Sequence, residues 1–378
     1  MFARIARLVA VVSVASVALT ACTPPMPPEV KAALLERSYT CVEGSVSIQT
    51  PETMAGAIPN LQAAMGGNCP GMNLVPATAD VASDIVIGKG PWTSTCEAVS
   101  TVPYALDAGV VAATLSTAGG LILRPKTIAG IFDGSITSWD DAAIAADNGG
   151  VAVGTGPIQV LPTTDKQALA AFGAWYQQLT GKAFKATLLK PVSGLSVAAL
   201  GGTDASGAAT GFAVDGTIAL LPYSVFSTYA VTAMTIPLAA SVLVDAANPY
   251  GSVPDVSGIG SAGTQLTYKK SGSDAAGDMQ VTLAMNYDAK PVPPQGMDVA
   301  PAPYQAIYPV NLSVCGNGAG ASAGKPSKLV RAVGRYLLRQ DAQGALTTYV
   351  PLPELIRAES LDVVSVGLPQ PKVDAPAN

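Results

Sequence analysis

The side chains that most often carry chemistry are unevenly supplied in this sequence. Its 378 residues include no histidine, but five cysteines, 26 carboxylates and 21 lysines and arginines. Without an imidazole, Ser-His-Asp triads, Cys-His dyads and histidine-containing zinc sites are excluded. A carboxylate pair or a lysine is still a chemically allowed acid or base, yet no spacing selects one. The adjacent Asp140 and Asp141 would leave a helix in different directions, because sequence neighbours do not share a helical face. No catalytic residue, cofactor or metal is therefore expected. Cys41, Cys69, Cys96 and Cys315 are irregularly spaced, which disfavours a metal site. As an even set in an oxidising compartment they imply two disulfides, and four cysteines allow three pairings.

The fifth cysteine has a different setting. Arg4 and Arg7 precede an apolar run at residues 8–19, followed by Leu19-Thr20-Ala21-Cys22. A positive start, a short apolar run and small residues at its end make an export signal over residues 1–21. Leu-x-Ala-Cys resembles the bacterial lipobox, which implies lipidation of Cys22 and anchoring to the outer face of the cell membrane. Residues 23–28 hold four prolines, so the chain behind the anchor reads as a stiff tether leading to a short helix, together residues 22–37. No later run is long and apolar enough to span a membrane.

The body needs elements to position whatever it binds. Hydrophobic residues make up 49% of the chain and charged residues 12%, which excludes wholesale disorder. A net charge of −5 lacks the basic footprint of a nucleic-acid binder. Short apolar runs at residues 72–76, 84–88, 121–124, 158–161 and 218–221 read as strands, and residues 44–49 as another. Between them fall helical patterns at residues 29–37, 50–65, 127–132 and 165–179. Thr50 is the expected cap of the second, with Pro51 in its first turn, and Gly66-Gly67 its stop. The helix at 165–179 is apolar at Leu169, Phe172, Trp175, Tyr176 and Leu179 and ends at Gly181. Residues 235–305 read as strands and long loops. A final helix begins after Ser327, with Leu329, Val333 and Leu337 on one face. Strands alternating with helices give an α/β fold, and the length suggests two domains.

Four blocks carry a resemblance. Residues 126–146 contain Ile131-Phe132, Gly134, Ile136 and Trp139-Asp140-Asp141, with Asn148-Gly149 soon after. Further on stand Asp215-Gly-Thr-Ile-Ala-Leu-Leu-Pro-Tyr-Ser224, Tyr308-Pro309 and Tyr349-Val-Pro-Leu-Pro353. In this order the blocks resemble those of the bacterial periplasmic phosphate-binding proteins. Read without that resemblance, they are apolar and glycine-rich and would pack a core.

The resemblance implies a two-lobe periplasmic-binding-protein fold, type II-like, with a cleft between the lobes. Lobe one would be residues 38–105 plus 305–365, lobe two residues 106–304, and residues 366–378 a polar tail. That topology implies the pairing Cys41–Cys69 and Cys96–Cys315. It also implies a solute-binding lipoprotein of an ABC-type uptake system, with phosphate or another small oxyanion as ligand and an ABC permease as partner. The alternative is a sensor or surface module that no longer binds phosphate. Carried over to this chain, the ligand positions are Thr50, Lys89, Thr163 and Thr164. Several departures stand beside them. Lys89 replaces an aspartate that accepts from phosphate, and a lysine can only donate; it would attract an anion or serve as a solvated loop charge. Pro162 replaces a clamping arginine, and Gln167-Ala168-Leu169 replaces Ser-Gly-Thr. Thr163 and Thr164 would donate hydroxyls to a ligand or cap the helix that follows.

Overall fold

The computed structural model describes residues 27–37, 39–78, 81–89, 96–233, 237–244, 248–272, 279–293, 296–322 and 325–369. The export signal, Cys22, most of the tether and residues 370–378 of the tail lie outside the described residues.

One mixed sheet organises the chain. Strand β1 (Gly44–Gln49) lies between the parallel strands β2 (Met72–Pro76) and β3 (Ile85–Gly88). In β1, Val46 and Ile48 are buried while the residues between them are not, the period of two expected of a half-covered strand. β3 is buried at all four positions, as a central strand requires. The long strand β4 (Ala98–Thr114) runs antiparallel to a return strand, Ile307–Cys315, which separates it from β3.

β4 joins the two lobes. Its first half pairs with the return strand as far as Ala108 opposite Ile307. From Gly109 onward its neighbour is Thr217–Pro222, with Gly109 opposite Pro222 and Thr114 opposite Thr217. The partner therefore changes between Ala108 and Gly109, inside a continuous strand. Two further strands, Leu266–Ser271 and Met279–Met285, extend the sheet beside the start of β4. They fall within the stretch read from the sequence as lobe two; Met279–Met285 pairs with β4 at Ser100 and Thr101, in the half that pairs with the return strand, and Leu266–Ser271 pairs with Met279–Met285.

The helices follow local sequence rules with some exceptions. α1 (Pro28–Arg37) is fastened by buried arginines: Arg335 donates to the Leu35 carbonyl at 2.8 Å, and Arg357 pairs with Glu36. Ahead of α2 (Ile58–Asn68) comes a 3-10 turn, Glu52–Ala57, with Pro51 at its cap position and no side-chain cap bond. Thr50 thus caps nothing, because the fixed backbone of Pro51 starts the turn by itself. Gly66 and Gly67 do not stop α2, which runs to Asn68 and gives way at Cys69. α3 (Pro125–Asp133) ends at left-handed Gly134, and Asp141 caps α4 (Ala142–Asp147).

α5 (Lys166–Thr180) buries Ala168, Phe172, Trp175 and Tyr176 and ends at left-handed Gly181, while Leu179 faces solvent. Its cap is Asp165, whose carboxylate accepts from Gln167 N and Ala168 N; Thr163 and Thr164 do not cap it. α6 (Tyr223–Thr232) follows the strand Thr217–Pro222 directly. α7 (Val256–Gly263), capped by Asp255, stands where strands and loops were expected. Ser327 caps α8 (Lys328–Leu337) by accepting from Val330 N.

Cys41 is bonded to Cys69 and Cys96 to Cys315, the pairing that the resemblance implies. The first ties the approach to β1 to the end of α2, and the second ties the start of β4 to the end of the return strand. The glycine-rich motif is core: Trp139 is fully buried, and its indole N–H donates to the Gly216 carbonyl at 2.8 Å. No helix among the described residues is long and apolar enough to cross a membrane.

Candidate functional site

β1 and β3 are parallel neighbours, so their carboxyl ends open at one edge of the sheet. At that edge lie Gln49, Thr50, Gly88 and Lys89. Facing them from lobe two are the first residues of α5 and α6 and the loop Ser193-Gly194-Leu195-Ser196. Between the two sets is a cavity of about 560 Å³. The carboxyl ends of parallel strands and the starts of helices are where α/β proteins usually hold ligands.

Three charged groups meet beside it: Lys89 and Asp165 line the cavity, and the fully buried Asp107 lies next to Lys89. The Lys89 ammonium lies 3.5 Å from Asp165 and 3.7 Å from Asp107, and it donates to the Tyr308 hydroxyl at 2.9 Å. Its side chain is 21% exposed, against 0% for Asp107 and 2% for Asp165. Lys89 is thus no solvated loop charge.

Both carboxylates are also held by backbone. Asp165 Oδ1 accepts from Gln167 N at 2.9 Å and Ala168 N at 3.1 Å, and its Oδ2 accepts from Leu195 N at 3.4 Å. Asp107 Oδ1 accepts from Ser224 N at 3.0 Å and Ala108 N at 2.9 Å, and its Oδ2 accepts from Ser224 Oγ at 2.7 Å. Asp165 therefore occupies the N-terminus of α5, and Asp107 that of α6. Helix N-termini attract anions through free N–H groups and the helix dipole. Here the anions already in place belong to the protein.

Two buried tyrosines stand beside these charges. Burial, and then the nearby charges of Asp107 and Asp165, push the Tyr308 phenol well above its usual range. Its hydroxyl is hydrogen-bonded to Asp107. Tyr349, raised by burial and then by Asp107, hydrogen-bonds to Thr53. Both phenols stay neutral near pH 7. Across the mouth, Gln167 Nε2 donates to the Lys89 carbonyl at 2.8 Å, linking the two lobes.

The four ligand positions taken from the resemblance divide evenly. Thr50 and Lys89 line the cavity. Thr163 and Thr164 are not among its lining residues, and the buried Thr164 hydroxyl donates to the Leu220 carbonyl at 2.6 Å. Asp140 and Asp141 serve locally: Asp140 accepts from Ser138, and Asp141 caps α4 through Ala143 N. Five participants were not anticipated as site residues: Asp107, Asp165, Tyr308, Tyr349 and Ser224. Asp107 did leave a signal. It is the one charge in the apolar run at residues 102–115, and a charge inside a buried strand requires a buried partner.

The electrostatic consequence can be sized. Two unit charges 4 Å apart near a protein surface interact by about 4 kcal/mol. An added anion would gain about that much from Lys89 and lose a similar amount to each carboxylate it approached.

No family model matches this chain, and no curated protein does. Solved structures do. A DING protein is 15% identical over 83% of this chain and 93% of its own, with a TM-score of 0.50. The fold is that of a two-lobe periplasmic binding protein. A high-affinity periplasmic phosphate-binding protein (PfluDING), solved with phosphate bound, is 16% identical over 84% of this chain and 92% of its own, at a TM-score of 0.48. A putative phosphate ABC transporter substrate-binding protein from Clostridium perfringens, also with bound phosphate, is 14% identical over 82% and 100%, at 0.40. At these identities the likeness is one of fold, and the anion in those structures is a property of those proteins.

Proposed function

We propose that this chain is an extracytoplasmic solute-binding lipoprotein of an ABC-type uptake system. The observation that carries the reading is the cavity of about 560 Å³ between the lobes, lined from both sides and placed at the carboxyl ends of β1 and β3. Its volume falls within the usual range for small-molecule sites, about 300–1,000 Å³. The export signal and Cys22 support placement outside the cell on a lipid anchor, and the fold supports binding as the activity.

The test is thermal denaturation of the purified full chain against sugars, amino acids and small oxyanions. A true ligand at a hundredfold excess over its Kd stabilises by about 2.7 kcal/mol. The effect should disappear in Ser196→Trp, which fills the cleft. Stabilisation by no member, or by one whose effect survives Ser196→Trp, contradicts the reading. Uptake is tested separately, by following the solute into cells with and without the chain. Binding with unchanged uptake would favour the alternative, a sensor or surface module. That second reading draws on Pro162 and Lys89, which stand where the resembled family has its clamp residues.

A further inference from the structure

Resting on the solute-binding reading, we propose that Asp107 and Asp165 set the charge selectivity of the cleft. They turn it against phosphate and other multiply charged oxyanions, in favour of an uncharged organic solute that hydrogen-bonds through hydroxyl or amide groups.

Four observations lead there. First, the Gln167 and Ala168 N–H groups at the start of α5 and the Ser224 N–H group of α6 are already given to Asp165 and Asp107. An incoming anion finds those donors taken. Second, the Lys89 ammonium is shared between both carboxylates and Tyr308. One cation therefore faces two buried anions, and the local balance is negative before any ligand enters. Third, the charged lining residues besides Lys89 and Asp165 are Glu52 and Lys166, of opposite sign, so they do not reverse that balance. Fourth, the cavity of about 560 Å³ has room for far more than a single phosphate ion. Hydroxyls from Thr50, Ser193 and Ser196 share its wall with the apolar Ile87, Leu195 and Val225. A hydroxyl both donates and accepts, and the mixture suits a neutral solute with an apolar face.

The roles of Asp107 and Asp165 follow from charge, so isosteric neutralisation isolates them. Asp107→Asn keeps one carbonyl oxygen for Ser224 N and Ala108 N, Asp165→Asn keeps one for Gln167 N and Ala168 N, and asparagine caps helices as well as aspartate does. Inorganic phosphate is titrated calorimetrically, at low salt, into the wild-type full chain, each single variant and the double variant. The wild type should show no saturable heat at millimolar phosphate. The double variant should bind phosphate at least about tenfold more tightly than the wild type. Thermal unfolding of each variant confirms that it is folded. Should the double variant not fold, the wild type and the single variants decide.

Micromolar phosphate binding by the wild type overturns the selectivity while leaving solute binding intact. A folded double variant with no gain also overturns it. In the thermal panel the stabilising solutes should be uncharged, and stabilisation by an oxyanion alone counts against the proposal. Failure of every solute to stabilise the chain overturns the solute-binding reading itself, whatever phosphate does in the variants.

Discussion

Asp107 is the one charged residue of β4, and it lies fully buried beside Lys89 and Ser224. Its backbone and hydroxyl donors satisfy its hydrogen bonding, but Lys89 alone brings it an opposite charge within 4 Å among the described residues. Lys89→Met should therefore leave a buried anion without its cation. A loss of roughly 3 kcal/mol is expected, measurable as a shift in the urea midpoint. Wild-type stability in that variant would show that the hydrogen bonds alone hold Asp107. The buried tyrosines give a second expectation. Tyr104, Tyr304, Tyr308 and Tyr349 are all raised above the usual value of 10.0 by burial. In the unfolded chain they ionise near pH 10, while in the folded chain they stay protonated. Their contribution is fully present below pH 10 and is lost as pH rises from there towards the raised folded values. Urea denaturation on either side of pH 10 should show stability falling steeply on the alkaline side. A flat profile would mean that the phenols are hydrated.

At the scale of elements, α5 sits against the point where β4 changes partners. A Cβ at Gly109 would lie 2.2 Å from the Ala168 carbonyl oxygen, so strand and helix touch backbone to backbone. Gly109→Ala should force them apart and cost about 1–3 kcal/mol, read from the same denaturation curves. A neutral result would mean that α5 can slide on the strand. Much of this level was legible in the sequence. The alternation in β1, the stop at Gly181 and the Ser327 cap follow local rules that the fold leaves intact. α7 was not legible, because its sequence is Val-Ser-Gly-Ile-Gly-Ser-Ala-Gly and glycine disfavours helix. Two of its glycines answer to packing: a Cβ at Gly258 would meet the Val253 carbonyl oxygen at 2.1 Å, and one at Gly263 the Leu106 side chain at 2.7 Å. The site was half legible for a related reason. Thr50 and Lys89 follow strands and reach the cleft with them. Thr163 and Thr164 also precede a helix, but they lie in a short strand, Thr163–Asp165, paired with Lys190–Val192, and the Thr164 hydroxyl donates to Leu220. Asp165, one residue later, takes the cap.

At the scale of the molecule, one continuous strand joins the lobes, and both disulfides fasten the half of the sheet that holds β1 and the return strand. Cys96–Cys315 closes a sequence separation of 219 residues, and Cys41–Cys69 one of 28. Removing the first as a Cys96→Ser and Cys315→Ser pair should cost about 2–5 kcal/mol, mainly through the freed unfolded chain. Urea denaturation of that double variant against the wild type provides the check, and equal midpoints would contradict it. On the proposed solute-binding reading, the charges at the cleft choose the solute. That choice is most directly tested by calorimetric titration of the purified full chain with inorganic phosphate at low salt. No saturable heat is predicted at millimolar phosphate for the wild type, with binding gained when Asp107→Asn and Asp165→Asn are combined. Saturable binding of phosphate to the wild-type chain at micromolar concentration would contradict the account.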